Sequence, residues 1–138
     1  MFDYPKNCFV FDPKCRDIYI SFLVQTPDLL SYKTALCTGS NTFSQLGNGG
    51  NIKINTPEFV KAGQDNLSGV TQIAAGSSHT CFLLSDGKAK YTGLNNFGQL
   101  GLGRVSNNNK ETTPQVVQIK NDQGNKDLEN ITQIAVGT

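Results

Sequence analysis

Residues 41–50, NTFSQLGNGG, return as NNFGQLGLGR at 95–104, with six identities in ten positions. A second pair keeps the same order: VTQIAAG at 70–76 and ITQIAVG at 131–137, identical at five positions of seven. In each unit a proline stands between the two motifs, Pro57 and Pro114. The offsets grow from 54 to 57 to 61 residues, so the connecting loops vary while the parts they join repeat. This is duplication, and a period of this length decides the fold before any single element does. A third, eroded copy opens the chain. SFLVQTPDLLSYKTALCTGSN at 21–41 aligns with CFLLSDGKAKYTGLN at 81–95 once its first turn is allowed six more residues.

Within the best-preserved unit the local signals favour strands. HTCFLLS at 79–85 is short, apolar and rich in strand formers. Asp86-Gly87 follows, and Asp-Gly between two such runs predicts a two-residue hairpin because glycine tolerates positive φ. KAKYTG at 88–93 then returns antiparallel. VTQIAAG places Val70 and Ile73 among Ala74, Ala75 and Gly76, small residues suited to a crowded inner strand. PEFVKA at 57–62 and PQVVQI at 114–119 each open on proline, which cannot donate to a ladder and is expected at a strand's start. No stretch carries a helical period long enough to compete.

About four short antiparallel strands every 54 to 61 residues describe a propeller blade, with a period longer than tryptophan–aspartate or kelch repeats. The chain resembles the regulator-of-chromosome-condensation repeat family. The resemblance rests on Asn95, Gly98, Gln99, Leu100, Gly101 and Gly103, on Ile73, Ala74, Gly76 and His79-Thr80, and on Asp86-Gly87 with Tyr91 and Gly93. It covers about residues 18–138. The chain departs from the family where Thr38 and Thr92 replace the usual Trp, where Ser44 stands for Gly, and where the opening copy lacks Asp-Gly. The expected fold is all-β: about two and a half repeats of an incomplete propeller, with blade parts near 18–50, 51–103 and 104–138. An irregular leader occupies 1–17. Taken alone, so few blades expose sheet edges, and the expectation is a piece of a longer propeller or, as the alternative, a small subunit whose edges a partner covers.

Composition narrows the function classes. Twelve basic and eleven acidic residues give a net charge of +1, with no Lys or Arg cluster, which argues against a nucleic-acid partner. Apolar runs such as FVF at 9–11 and CFLL at 81–84 are too short for membrane insertion. Cysteines 8, 15, 37 and 81 lack zinc-knuckle spacing, and the leader lacks a signal-peptide run, so the reading is an intracellular protein with reduced thiols. Asn66-Leu67-Ser68 and Asn130-Ile131-Thr132 match the glycosylation pattern but read as loop residues in that setting.

Candidate chemical motifs read as structure. GNGG at 47–50 and GLGR at 101–104 lead into no helix, so they are turns and not phosphate cradles. His79, the one histidine, is expected to fix a turn between strands; Ser77 and Ser78 beside it do not make a triad. NDQGNKDLEN at 121–130 misses calcium-loop spacing and reads as a polar loop, a candidate for facing a partner. Cys81 reads as a buried small hydrophobe. The leader's Phe2, Tyr4, Phe9, Val10 and Phe11 either pack on the first blade or dock on a partner.

No catalytic, cofactor or metal residue is assigned, and the binding residues are open. The resemblance implies a non-enzymatic protein-interaction or scaffold module whose partners are other proteins: a large assembly or the remaining blades. The alternative is a guanine-nucleotide exchange factor for a Ran-like small GTPase; a ubiquitin-ligase remnant is a third reading. Fourteen asparagines and no Trp fit an AT-rich genome, which points to a cytoskeletal or ciliary assembly. The expected compartment is cytoplasm or cytoskeleton, with the cilium as a variant and the nucleus as alternative.

Overall fold

The structure, a computed structural model, describes residues 19–25, 33–104 and 106–137; the aromatic leader lies outside them. Its best-built element is the hairpin of β7 (His79–Leu84) and β8 (Ala89–Leu94), registered from His79 opposite Gly93 to Leu83 opposite Ala89. The connection is three residues, not the two predicted. Leu84 N–H donates to the Lys88 carbonyl and Gly87 N–H to the Leu84 carbonyl, while Gly87 sits at φ 79°. A turn followed by one left-handed glycine is the usual geometry of a three-residue hairpin loop. Asp86 Oδ1 accepts the Lys88 N–H at 3.0 Å and supports it.

β6 (Val70–Ala75) flanks β7, and β9 (Lys110–Val116) flanks β8, giving a four-stranded antiparallel blade in the order β6-β7-β8-β9. The opening copy forms β1 (Tyr19–Gln25), β2 (Lys33–Gly39) and β3 (Ile54–Phe59), paired in that order. Tyr19 faces Gly39 as His79 faces Gly93, so the two hairpins share a register. The six extra residues therefore fall between β1 and β2, as the alignment required.

Pro57 and Pro114 do not start their strands. They are internal to β3 and β9, both the outermost strands of their sheets. Each lies in a register shift, one between Cys37 and Gly39 and the other between Tyr91 and Gly93. An edge strand at a bulge has no ladder bond for proline to lose, so position along the strand was the wrong criterion. After each outer strand one valine breaks the ladder: Val60 N–H donates to the Ala35 carbonyl, and Val117 N–H to the Ala89 carbonyl. A small hairpin follows in both repeats, β4 (Lys61–Ala62) with β5 (Asp65–Asn66), and β10 (Gln118–Asn121) with β11 (Gly124–Asp127).

The cores lie between blades. Ala35, Cys37, Leu46, Val60, Leu67, Val70, Ile73 and Phe82 form one; Cys81, Leu83, Ala89 and Ile134 form the other. β7 feeds both, with Phe82 and Leu84 on one side and Cys81 and Leu83 on the other. Alternation along a strand sends neighbours to opposite faces, and both faces are packed, so the sequence reads as unbroken apolar. Residues 131–137, predicted as an inner strand like β6, have no ladder partner among the described residues. They still run beside β6: Ile134 N–H donates to Gln72 Oε1 at 3.3 Å, and Gln72 Nε2 donates to the Ile134 carbonyl at 3.4 Å. A Cβ on Gly76 would meet the Gly137 carbonyl at 2.6 Å, so only glycine permits this approach.

Candidate protein-interaction face

Two long connections, residues 40–53 from β2 to β3 and residues 95–109 from β8 to β9, line one cleft together. Both are built around a buried asparagine. Asn41 Oδ1 accepts the Leu46 N–H at 3.1 Å, and Asn95 Oδ1 accepts the Leu100 N–H at 3.0 Å. The amide nitrogens are also taken, Asn41 Nδ2 by Asn48 Oδ1 and Asn95 Nδ2 by Ser106 Oγ. Gln45 and Gln99 each accept the N–H of the phenylalanine two residues earlier, both at 3.0 Å. One carboxamide thus satisfies backbone groups that no ladder reaches, which is why the motif repeats as N-x-F-x-Q-L-G. The Gly-rich segments are turns, as predicted: Gly47, Gly49, Gly101 and Gly103 all have positive φ, and no α-helix occurs among the described residues.

The second blade fastens onto the first loop through hydroxyls. Thr80 Oγ1 donates to the Gln45 carbonyl at 2.6 Å, and Thr92 Oγ1 shares its one proton between the Ser44 carbonyl at 3.0 Å and the Glu111 carbonyl at 2.8 Å. Gly49 N–H reaches the Thr112 carbonyl, and Lys110 Nζ donates to the Thr42 carbonyl at 3.3 Å. Arg104 pairs with Glu111 at 2.7 Å and ties the second loop to its own β9.

Where the loops meet, an open cleft of about 560 Å³ is lined by Phe43, Asn51, Leu94, Asn96, Asn109 and Lys110, among others. Asn108 and Asn109 hold φ of 55° and 59°, a left-handed pair that asparagine tolerates better than most residues. Five large hydrophobics are exposed among the described residues, and three of them, Phe43, Ile52 and Phe97, stand on these two loops. Phe97 is 88% and Ile52 76% exposed. Nothing in the sequence marked them, because the repeat makes Phe43 and Phe97 look like core.

The other sequence candidates resolve without chemistry. His79 opens β7 and is not confined to a loop; its ring stacks on Tyr91 with centroids 6.3 Å apart, and burial lowers its pKa. Ser77 Oγ and Ser78 Oγ lie 3.5 Å from each other. Cys81 is buried as predicted; desolvation pushes its thiol up to about 12, opposed in part by a hydrogen bond with Tyr91. Residues 121–130 fold around the β10–β11 turn, where Asn121 Oδ1 accepts the Gln123 N–H. Asp127, the last residue of β11, is held by Lys88 at 2.9 Å and by Gln118, which lowers its pKa and raises that of Lys88. Among the described residues no three His, Cys, Asp or Glu side chains converge as a metal would need.

The chain is 37% identical over 95 residues to the ultraviolet-B receptor UVR8 of Arabidopsis thaliana, covering 68% of this chain and 20% of the receptor. It is 41% identical over 71 residues to the human X-linked retinitis pigmentosa GTPase regulator, covering 51% of this chain and 7% of that protein. The fold superimposes on Prp20p of Saccharomyces cerevisiae with TM-score 0.62 at 23% identity, over 88% of this chain and 26% of Prp20p. Human WBSCR16 gives TM-score 0.56 at 16% identity, over 77% of this chain and 26% of that one. The chain thus spans about a fifth of UVR8 and a quarter of the similar structures. The pattern of the regulator of chromosome condensation (RCC1) repeat matches residues 35–83 and 91–138, and a second pattern of the same repeat matches 70–99. Paired blades, asparagine-built turns and these matches lead to one conclusion: the chain belongs to the RCC1 repeat family and forms part of a β-propeller.

Proposed function

We propose that this chain is a non-enzymatic protein-interaction module that binds through the face made by residues 40–53 and 95–109. The carrying observation is that Phe43, Ile52 and Phe97 are exposed together on loops held by buried hydrogen bonds. Apolar side chains shown to water on a fixed frame mark a protein contact better than scattered surface residues do. The family supports it: Prp20p was studied for binding to Gsp1p and histones, yeast RCC1 was solved bound to Kap60, and relatives are named a receptor and a GTPase regulator. Cys81, buried and outside any disulfide, supports an intracellular setting; a cytoskeletal or ciliary assembly is our preferred context.

A photo-crosslinking residue at Ile52 or Phe97, with Ser85 in the β7–β8 turn as control, tests the reading in the full chain in its own cells. The expected result is one partner captured from both loop sites and not from Ser85. Equal capture from all three sites, or none, overturns it. The alternative, an exchange factor for a Ran-like GTPase, gains ground if the full chain speeds release of labelled GDP from such a GTPase.

A further inference from the structure

We propose that the cleft between the two loops binds an extended peptide segment and takes an acidic side chain of it on Lys110. This rests on the reading of the face as protein-binding and specifies the ligand. The cleft is about 560 Å³, within the range that holds a few residues of a ligand. Its walls carry carboxamides at Asn51 and Asn109, each a donor and an acceptor as a peptide group is, and at Asn96, whose Oδ1 already accepts from Gln99 Nε2 at 3.2 Å and whose Nδ2 adds a donor. Such a lining pairs with main chain whatever its sequence, and Phe43 and Leu94 give an apolar side chain somewhere to rest.

Among the described residues, Lys110 carries the only charge in that lining. Its ammonium donates to the Thr42 carbonyl at 3.3 Å, which spends one of three donors and directs the group across the seam. The ammonium therefore meets a carboxylate without an acid in the cleft to compete. The ligand is longer than the cleft: Ile52 follows Asn51 on one wall and Phe97 follows Asn96 on the other, and both are exposed. Apolar anchors on both sides of a polar trough suit a chain crossing the seam and not a small molecule. The walls are held in place before binding, since the Asn95 N–H donates to the Asn109 carbonyl at 2.6 Å and Asn109 N–H to the Ser106 carbonyl.

The test selects random linear peptides on the full chain and measures affinity by fluorescence anisotropy. The expected peptides share an Asp or Glu beside apolar residues. Lys110→Gln weakens them about 10-fold, the loss of one charged hydrogen bond. Replacing the peptide's acid by its amide removes that difference between the two proteins. Asn51→Ala, at an exposed position, weakens binding about 3-fold while leaving the melting temperature unchanged. Enrichment of basic or wholly apolar peptides, tighter binding of a single-stranded oligonucleotide, or indifference to Lys110→Gln overturns the proposal. If peptides fail but Ile52 and Phe97 still crosslink one partner, the cleft assignment falls and the interaction reading stands.

Discussion

Ser44 shows how one side chain can fit a repeat badly and still be kept. It holds φ 62° where the second copy has Gly98 at 74°, and its hydroxyl is buried with no hydrogen-bond partner. Left-handed backbone costs a non-glycine residue about 1–2 kcal/mol and a buried unpaired hydroxyl about 1–3, against the extra chain entropy of glycine. Ser44→Gly is therefore expected to stabilise the protein by about 1 kcal/mol in urea unfolding. The loop contacts survive it, because Thr92 binds the Ser44 carbonyl and not its side chain. At this scale the sequence was readable where one residue type does one backbone job, as at Asn41, Asn95 and Gly87. It was not readable at Phe97, because exposure depends on neighbours supplied by other parts of the chain.

At the scale of the element, glycines of one repeat answer to different constraints. Gly93 in β8 has φ 107°, and a Cβ there would run into the Ser78 carbonyl and the His79 backbone. Gly98 has φ 74° with open space around it. Gly93→Ala is expected to cost about 3 kcal/mol or more, and Gly98→Ala about 1 kcal/mol. Chemical denaturation of the two variants checks the ordering, and equal losses would show that the β6–β7 turn is softer than its packing implies. The strands themselves were legible from HTCFLL and KAKYTG, whose pattern and Asp-Gly punctuation are local. The prolines were misplaced because an edge position is set by sheet order, which no window of residues contains. His79 was misplaced by one step for a related reason: strand β7 begins on it because Gly93 pairs with it from the other side of the hairpin.

For the whole molecule, acid should act through His79. Burial holds its folded pKa below the unfolded value of 6.5, so between the two the unfolded chain binds the extra proton. Stability that is complete above 6.5 is lost as pH falls through that window. The melting temperature is expected to be lower at pH 5.5 than at pH 7.5, and His79→Gln should narrow the gap. Asp127 does not interfere, since its pKa is lowered from 3.8 and its contribution is lost only below that. A gap unchanged in His79→Gln would move the cause to another group. The blade count and the repeat were legible over this span because duplication writes the same turn twice. That a blade shares its core with a neighbour follows from the repeat itself; what the sequence hid was how one strand is divided between two cores. Phe82 and Cys81 are consecutive residues of β7, yet they belong to different cores. The unit that melts is then the seam and not the blade. A defect in one strand is felt by both neighbours, and damage travels along the chain like a dropped stitch in knitting.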